Sequence, residues 1–212
     1  MRLRYKEWAI PELEENKLIY FDPVDNKGRW NEVFVNDNPI HLEIGAGKGR
    51  FTTEIAKRNP DINFIALEME AGAFVYASRL FVESGQENIR GIRTMAQKLL
   101  EYFEKDEIDK IYINFCNPWP KNRQHKRRLT HPRLLKLYKV ILKSKGQIQL
   151  KTDDLDFFED SISYFEKEDF EILEIDYDLP PDKNENIITE YESKWRNQGV
   201  KIKYLKAVKK LR

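Results

Sequence analysis

Glu43 stands two residues ahead of a run in which every second residue is glycine, Gly45-Ala46-Gly47-Lys48-Gly49, and a second carboxylate, Glu68, follows 23 positions after Gly45. Glycines at a strand-to-helix turn let the chain bend sharply and let a ligand approach the backbone. A carboxylate closing the next strand can accept hydrogen bonds from both hydroxyls of an adenosine ribose. The pattern is that of a site for a nucleoside-containing cofactor. The nicotinamide fingerprint G-x-G-x-x-G fails by one residue, because Arg50 occupies the place of its third glycine.

A second stretch carries a different chemistry. Asn117-Pro118-Trp119-Pro120 is followed within eight residues by Lys121, Arg123, Lys126, Arg127 and Arg128. Clustered cations bind phosphates, and an aromatic face beside them suits an unstacked base. The whole interval from Lys110 to Thr152 holds 12 Lys or Arg and no acid; the other 25 basic residues face 36 acids, so the rest of the chain carries −11. The overall charge of +1 therefore conceals a strongly polarised chain, which points to a polyanionic partner. The stretch from Val200 to Arg212 is basic again, with six Lys or Arg. The competing reading of both runs is a solvated basic face balanced by acidic neighbours.

These residues need elements to hold them. Short apolar runs at 40–44, 62–68, 88–93, 108–115 and 147–151 read as strands, and 51–58, 71–83, 96–103, 133–142 and 155–165 carry helical spacing. Two last strands are expected at 170–177 and 201–208, and residues 1–38 look irregular or loosely helical. Alternating strands and helices predict an α/β fold: a mostly parallel sheet, here of seven strands, with helices on both faces. In such sheets ligands bind beyond the carboxyl ends of the strands, where Gly45, Glu68 and Asn117 all fall. The expected organisation is an N-terminal arm over 1–38 and one catalytic domain over 39–212.

Composition narrows the class further. With 41% hydrophobic and 34% charged residues over 212 positions, the chain reads as one soluble globular unit. No apolar run approaches the ~20 residues needed to span a bilayer, and the N-terminus lacks the apolar core of a signal peptide, so a cytoplasmic location and no membrane partner are expected. The single Cys116 excludes an intramolecular disulfide and any multi-cysteine zinc site, and no metal is expected. The sequence leaves monomer and homodimer open.

Four ordered motifs resemble one family. The G-x-G-x-G turn with its leading acid resembles motif I of the S-adenosylmethionine-dependent methyltransferases. The stretch from Phe115 to Leu129 resembles the F-x-D-P-W-P-K-x-R-H-x-K-R-R-L signature of the bacterial tRNA (guanine-N7-)-methyltransferases, Lys151-Thr152-Asp153-Asp154 resembles their K-T-D-N, and Thr189-Glu190-Tyr191-Glu192 their T-x-Y-E. The resemblance spans nearly the whole chain. It implies a Rossmann-like class I fold, S-adenosyl-L-methionine as cofactor, and methylation of N7 of the variable-loop guanine, position 46, in tRNA. It implies that Glu43, Gly45, Gly47, Gly49, Glu68, Met95 and Asn117 line the cofactor, with Asn117 at the catalytic position. Lys121, Asp153, Thr189, Glu190, Tyr191 and Glu192 would surround the base, and Arg123, Gln124, His125, Lys126, Arg127, Arg128 and Leu129 would contact RNA.

The chain departs from the family at three places. Asn117 replaces the Asp of D-P-W, Met95-Ala96 stands where Asp-Ala is usual, and the R-H pair becomes Arg123-Gln124 with His125 one place later. A regained acid at Asp154, where relatives have Asn, is one expectation for how the loss at 117 is offset; capping of the next helix is the other. Two rival functions follow: a tRNA-binding paralogue weakened in catalysis, and a methyltransferase for exocyclic amines, whose N-P-P-aromatic motif Asn117-Pro118-Trp119 partly matches.

Overall fold

The computed structural model describes residues 6–183 and 186–210 of the chain. Arg212, the last of the C-terminal cations, and the first five residues lie outside them. Eight strands form one sheet: β1 (Ile19–Tyr20), β2 (Ile40–Ile44), β3 (Asn63–Glu68), β4 (Ile89–Arg93), β5 (Ile108–Asn114), β6 (Leu142–Thr152), β7 (Phe170–Asp176) and β8 (Lys203–Lys209). Their order is β1-β4-β3-β2-β5-β6-β8-β7, and β8 alone runs against the others. The α/β class and the mostly parallel sheet are as expected. The strand count is not: β1, two residues long and too short to show a period, brings the sheet from seven strands to eight.

Helices cover both faces. On one lie α1 (Ala9–Glu15), α3 (Arg50–Arg58) and α4 (Ala71–Ser84); on the other α2 (Trp30–Phe34), the one-turn α5 (Leu99–Tyr102), α6 (Pro132–Ile141) and α7 (Leu155–Lys167). The final helix, α8 (Glu190–Arg196), follows β7. Alternation along each strand sorts the two cores: Leu42, Ile44, Ile65, Leu67, Ile111 and Ile113 join Trp30, Tyr138 and Phe157, while Phe64, Ala66 and Tyr112 join Phe51, Phe74 and Phe81. The expected helix over 96–103 instead splits into a 3-10 turn, Ala96–Lys98, and α5.

Residues 6–38 wrap the edge of the sheet. Ala9 and Leu13 of α1 are buried on the α4 face, β1 pairs in parallel with β4, and Trp30 is buried on the opposite face, where its indole N–H donates to the Tyr102 carbonyl at 2.9 Å. Gly91 makes that edge possible, since a Cβ there would lie 2.5 Å from the Ile19 side chain.

The chain steps outward from β2 to β3 and β4, then crosses back to β5 on the other side of β2. That reversal between β2 and β5 opens a crevice at their carboxyl ends.

Candidate active site

Strand alternation aims Glu43 at α3, away from the core that Leu42 and Ile44 enter. Its carboxylate accepts from the Thr52 hydroxyl at 2.5 Å and from the Asn114 amide at 3.0 Å. Burial pushes its pKa up to about 7, against these two donors and the Lys151 charge. Both oxygens are engaged within the protein, so Glu43 ties β2 to α3 and β5 directly beneath the glycine turn.

Glu68 closes β3. One oxygen accepts from Gly47 N–H at 2.9 Å and the other from the N–H groups of Met69 and Glu70 at 2.8 and 2.9 Å. A carboxylate offers about four acceptor sites, so capacity for a ribose hydroxyl remains. Gly47 has φ +57 and nothing within 4 Å of where a Cβ would stand, as a backbone cradling a ligand requires. Gly49 serves another purpose: a Cβ there would meet Ala77 at 2.6 Å and Phe81 at 2.8 Å, so its bareness lets α4 pack on the start of α3. Gly45, φ +84, sits 3.6 Å by the same measure from Leu129, and half-exposed Met95 stands just past β4 on the same rim. An open cradle, a strand-end carboxylate and an apolar rim residue fit an adenosyl cofactor.

The loop after β5 is bent at both ends, with Phe115 at φ +50 and Trp119 at φ +46. Such conformations cost of order 1 kcal/mol or more in a bulky residue and persist where the surroundings impose them. Asn117, exposed between them, turns its side-chain oxygen back to accept from Trp119 N–H at 3.0 Å. A 3-10 turn, Asn122–Arg127, then displays Lys121, Arg123, Lys126 and Arg127 to solvent, with the Arg127 guanidinium 5.0 Å from the Trp119 ring centroid. Gln124 and His125 are half-buried, and His125 lies 3.9 Å from Asp160.

Arg128 and Leu129 depart from their expected place at the RNA. Arg128 is 1% exposed; its guanidinium donates to the Pro118 carbonyl at 2.7 Å and pairs with Asp160 of α7. Leu129 packs on the main core. The chain must turn inward here to start α6, and the buried cation satisfies a loop carbonyl that would otherwise lose its partner. Arg128 thus holds the Asn117–Trp119 bend from beneath. Arg128→Met is expected to lower kcat about tenfold or more while leaving cofactor affinity within twofold, since a small displacement of a positioning loop is costly; unchanged turnover would rule out the bracing role.

At the end of β6, Asp153 is half-buried, and its carboxyl is shifted up by burial and by neighbouring Asp154. Asp154 caps α7, accepting from Phe157 N–H at 2.8 Å, so its side chain follows the capping alternative. Thr189 likewise caps α8, accepting from Glu192 N–H at 3.2 Å; Glu190 pairs with Arg50 at 3.2 Å on the surface; the Tyr191 ring is tilted against Phe115, their centroids 5.2 Å apart. Glu192, expected beside the base, is wholly buried. Lys151 Nζ donates to it at 2.9 Å and Arg196 at 2.7 Å, while Lys151 also donates to the Asn186 side chain and the Ile187 carbonyl, each at 3.0 Å. Sequence reasoning missed this cluster and α8 itself. The signal present was Thr-x-x-Glu, the capping-box spacing of a helix start.

The basic runs also divide. Lys110, Arg128 and Lys151 of the first are buried, and in the C-terminal run Lys203 is buried and Lys209 pairs with Asp106 at 2.6 Å, so the concentrated exposed cations of these two runs are those of the 121–127 turn.

A family model described as "Putative methyltransferase" matches residues 37–205. The tRNA (guanine-N(7)-)-methyltransferase of Clostridium tetani is 48% identical over 97% of this chain and 98% of its own length, and that of Desulfitobacterium hafniense 47% over 96% of both. The chain belongs to the tRNA (guanine-N(7)-)-methyltransferase family. Among solved structures, the 16S rRNA methyltransferase KamB aligns at TM-score 0.66 and 12% identity, covering 85% of this chain and 92% of that one. The Haemonchus contortus phosphoethanolamine N-methyltransferase 2 bound to S-adenosyl-L-methionine aligns at 0.58 and 15%, covering 99% and 59%. At these identities the likeness is one of fold, the Rossmann-like class I methyltransferase. In this methyltransferase Met95 stands on the rim beyond β4 and Asn117 in the bend after β5.

Proposed function

We propose that the chain transfers a methyl group from S-adenosyl-L-methionine to N7 of guanine 46 in the variable loop of tRNA, in the cytoplasm. Membership of the family over nearly its full length supports the reaction. The geometry that carries the reading is Asn117 in a strained bend between the glycine turn and the exposed cations 121–127, at the switch point of the sheet. No helix among the described residues is long and apolar enough to cross a membrane.

S-adenosylmethionine supplies an electrophilic methyl on a sulfonium sulfur. Glu68, Gly45 and Gly47 would hold it, with Met95 on the rim and Gly49 and Glu43 shaping the turn. Guanine N7 presents a lone pair and no proton, so the protein needs to align it rather than deprotonate it. The groups near the crevice agree with that: Glu43 is enclosed by its own donors, and burial pushes the Cys116 thiol up to about 12, leaving it uncharged at neutral pH. Lys121, Arg123, Lys126 and Arg127 would neutralise phosphates, with Gln124 and His125 at the inner side of the same turn. Asp153, Thr189, Glu190 and Tyr191, at the neighbouring strand and helix ends, would border the base, and Glu192 acts by fixing α8.

Methylation leaves the guanine ring cationic, so negative charge beside it favours the reaction. A full carboxylate charge ~4 Å from a unit cation is worth roughly 4 kcal/mol at an effective dielectric of about 20. Asn117 keeps an acceptor oxygen but not the charge, and an Asp could accept the same Trp119 N–H. Labelled methyl transfer to unmodified tRNA, followed by nucleoside analysis, is expected to yield 7-methylguanosine, and Asn117→Asp to raise kcat about tenfold or more. A methylated exocyclic amine would transfer the reading to the rival chemistry. Binding of tRNA and cofactor with no product from either protein would make the chain a binding paralogue.

A further inference from the structure

A second group of cations lies across the glycine turn from the basic loop. The Tyr76 ring of α4 has Lys6 Nζ 4.0 Å from its centroid, and Lys48 and Arg79 each 5.6 Å away. Trp8 meets Tyr76 edge to face at 6.3 Å, with Arg79 4.9 Å from the Trp8 ring. Lys6 also donates to the Tyr76 hydroxyl at 2.7 Å and to the Gly72 carbonyl at 3.2 Å, which ties Lys6 to the first two turns of α4. Both aromatics stay open to solvent, Trp8 at 43% and Tyr76 at 37%.

Three like charges gathered around one ring repel one another. Glu12 compensates Arg79 at 2.5 Å, but no carboxylate among the described residues pairs with Lys6 or Lys48. Exposed aromatic faces interleaved with uncompensated cations are what a nucleic-acid strand uses, through phosphate neutralisation and stacking. Position selects the ligand. Lys48 belongs to the glycine turn after β2, and Tyr76 to the helix after β3, whereas the 121–127 turn follows β5 on the other side of β2. The two cationic groups stand on opposite sides of the β2–β5 crevice, with Lys48 in the cofactor turn itself.

We propose that Lys6, Trp8, Lys48 and Tyr76 form a second tRNA contact, which holds the RNA on the β3 side of the crevice while the 121–127 turn holds it on the β5 side. This rests on tRNA being the substrate. With contacts on one side only, the substrate could pivot about the basic loop; a second anchor fixes its orientation over the crevice.

The test is binding of labelled unmodified tRNA by full-length protein between about 50 and 200 mM KCl, with cofactor binding by calorimetry alongside. Lys6→Gln with Lys48→Gln is expected to weaken tRNA binding about tenfold and to lower the slope of log affinity against log salt by about 0.7–0.9 for each phosphate left without its cation. Trp8→Leu with Tyr76→Leu should weaken binding with little change in slope, and Lys6→Arg with Lys48→Arg should restore it. Cofactor Kd should stay within twofold throughout. Unchanged tRNA affinity and slope would overturn the proposal, and so would a loss confined to cofactor binding. Failure of the wild-type protein to form 7-methylguanosine would instead overturn the substrate reading, independently of these slopes.

Discussion

Glu192→Ala is expected to destabilise the protein by about 3–5 kcal/mol and to remove methyl transfer with it. Lys151 and Arg196 converge on this one wholly buried carboxylate, and Lys151 reaches on to Asn186 and Ile187 in the segment before α8. Removing the acid strands Lys151 in the interior and takes the carboxylate from half-buried Arg196, and an uncompensated buried charge costs that much. Burial already draws the Lys151 pKa down, with Glu192 the main opposing influence. Helix α8 carries Tyr191 against Phe115 at the end of β5, so loosening it disturbs the crevice directly. Denaturant melts measure the loss. The double change Glu192→Leu with Lys151→Met should recover part of the stability, because an apolar pair costs less to bury than a broken ion pair. A loss below about 1 kcal/mol in the single variant would mean that the cluster does not hold α8.

The second large effect is a pH dependence concealed by cancellation. Burial raises Glu43 from 4.5 to about 7 and lowers His41, two residues away on the same face of β2, from 6.5 to about 4, with the Lys110 charge adding to the His41 shift. Between pH 4.5 and 7 the folded protein retains the Glu43 proton that the unfolded chain releases, so this group's contribution to stability falls as pH rises. Between pH 4 and 6.5 the unfolded chain takes up a proton at His41 that the folded protein refuses, so that contribution rises with pH. Each shift is worth ~3 kcal/mol, and over most of the range the two slopes oppose. Glu43→Gln mimics the protonated acid. Its stability relative to wild type should rise by ~3 kcal/mol between pH 4.5 and 7, and its own curve should show the acid sensitivity of His41. His41→Gln should produce the opposite tilt. Chemical melts across this range check both, and a flat difference curve for Glu43→Gln would place its titration at the ordinary carboxylate value.

Much of this protein is written in near neighbours along the chain. The short apolar runs of β2 to β5 were legible because helices bury both faces of the sheet, and the helical spacing of α3, α4, α6 and α7 because burial on one face imposes a period of 3.6 residues. The glycine turn and the strand-end acid Glu68 were legible because turn chemistry is local, and four spaced motifs carried the family. Two-residue β1 and seven-residue α8 escaped because neither is long enough to show a period.

What only the tertiary structure decided is which polar groups go inside. Arg128 and Arg127 are adjacent, yet one is buried and braces a loop carbonyl while the other is exposed and lies over the half-buried Trp119 indole. Asp153 and Asp154 likewise part, one left half-buried with its carboxyl shifted up and the other accepting from a helix N-terminus as its cap. Lys151 and Glu192 are 41 positions apart, as little related in the sequence as any two opposite charges. A charged side chain enters the interior only where a partner from elsewhere in the fold meets it there. That meeting is set by how the strands are ordered and the helices packed, which no local pattern records.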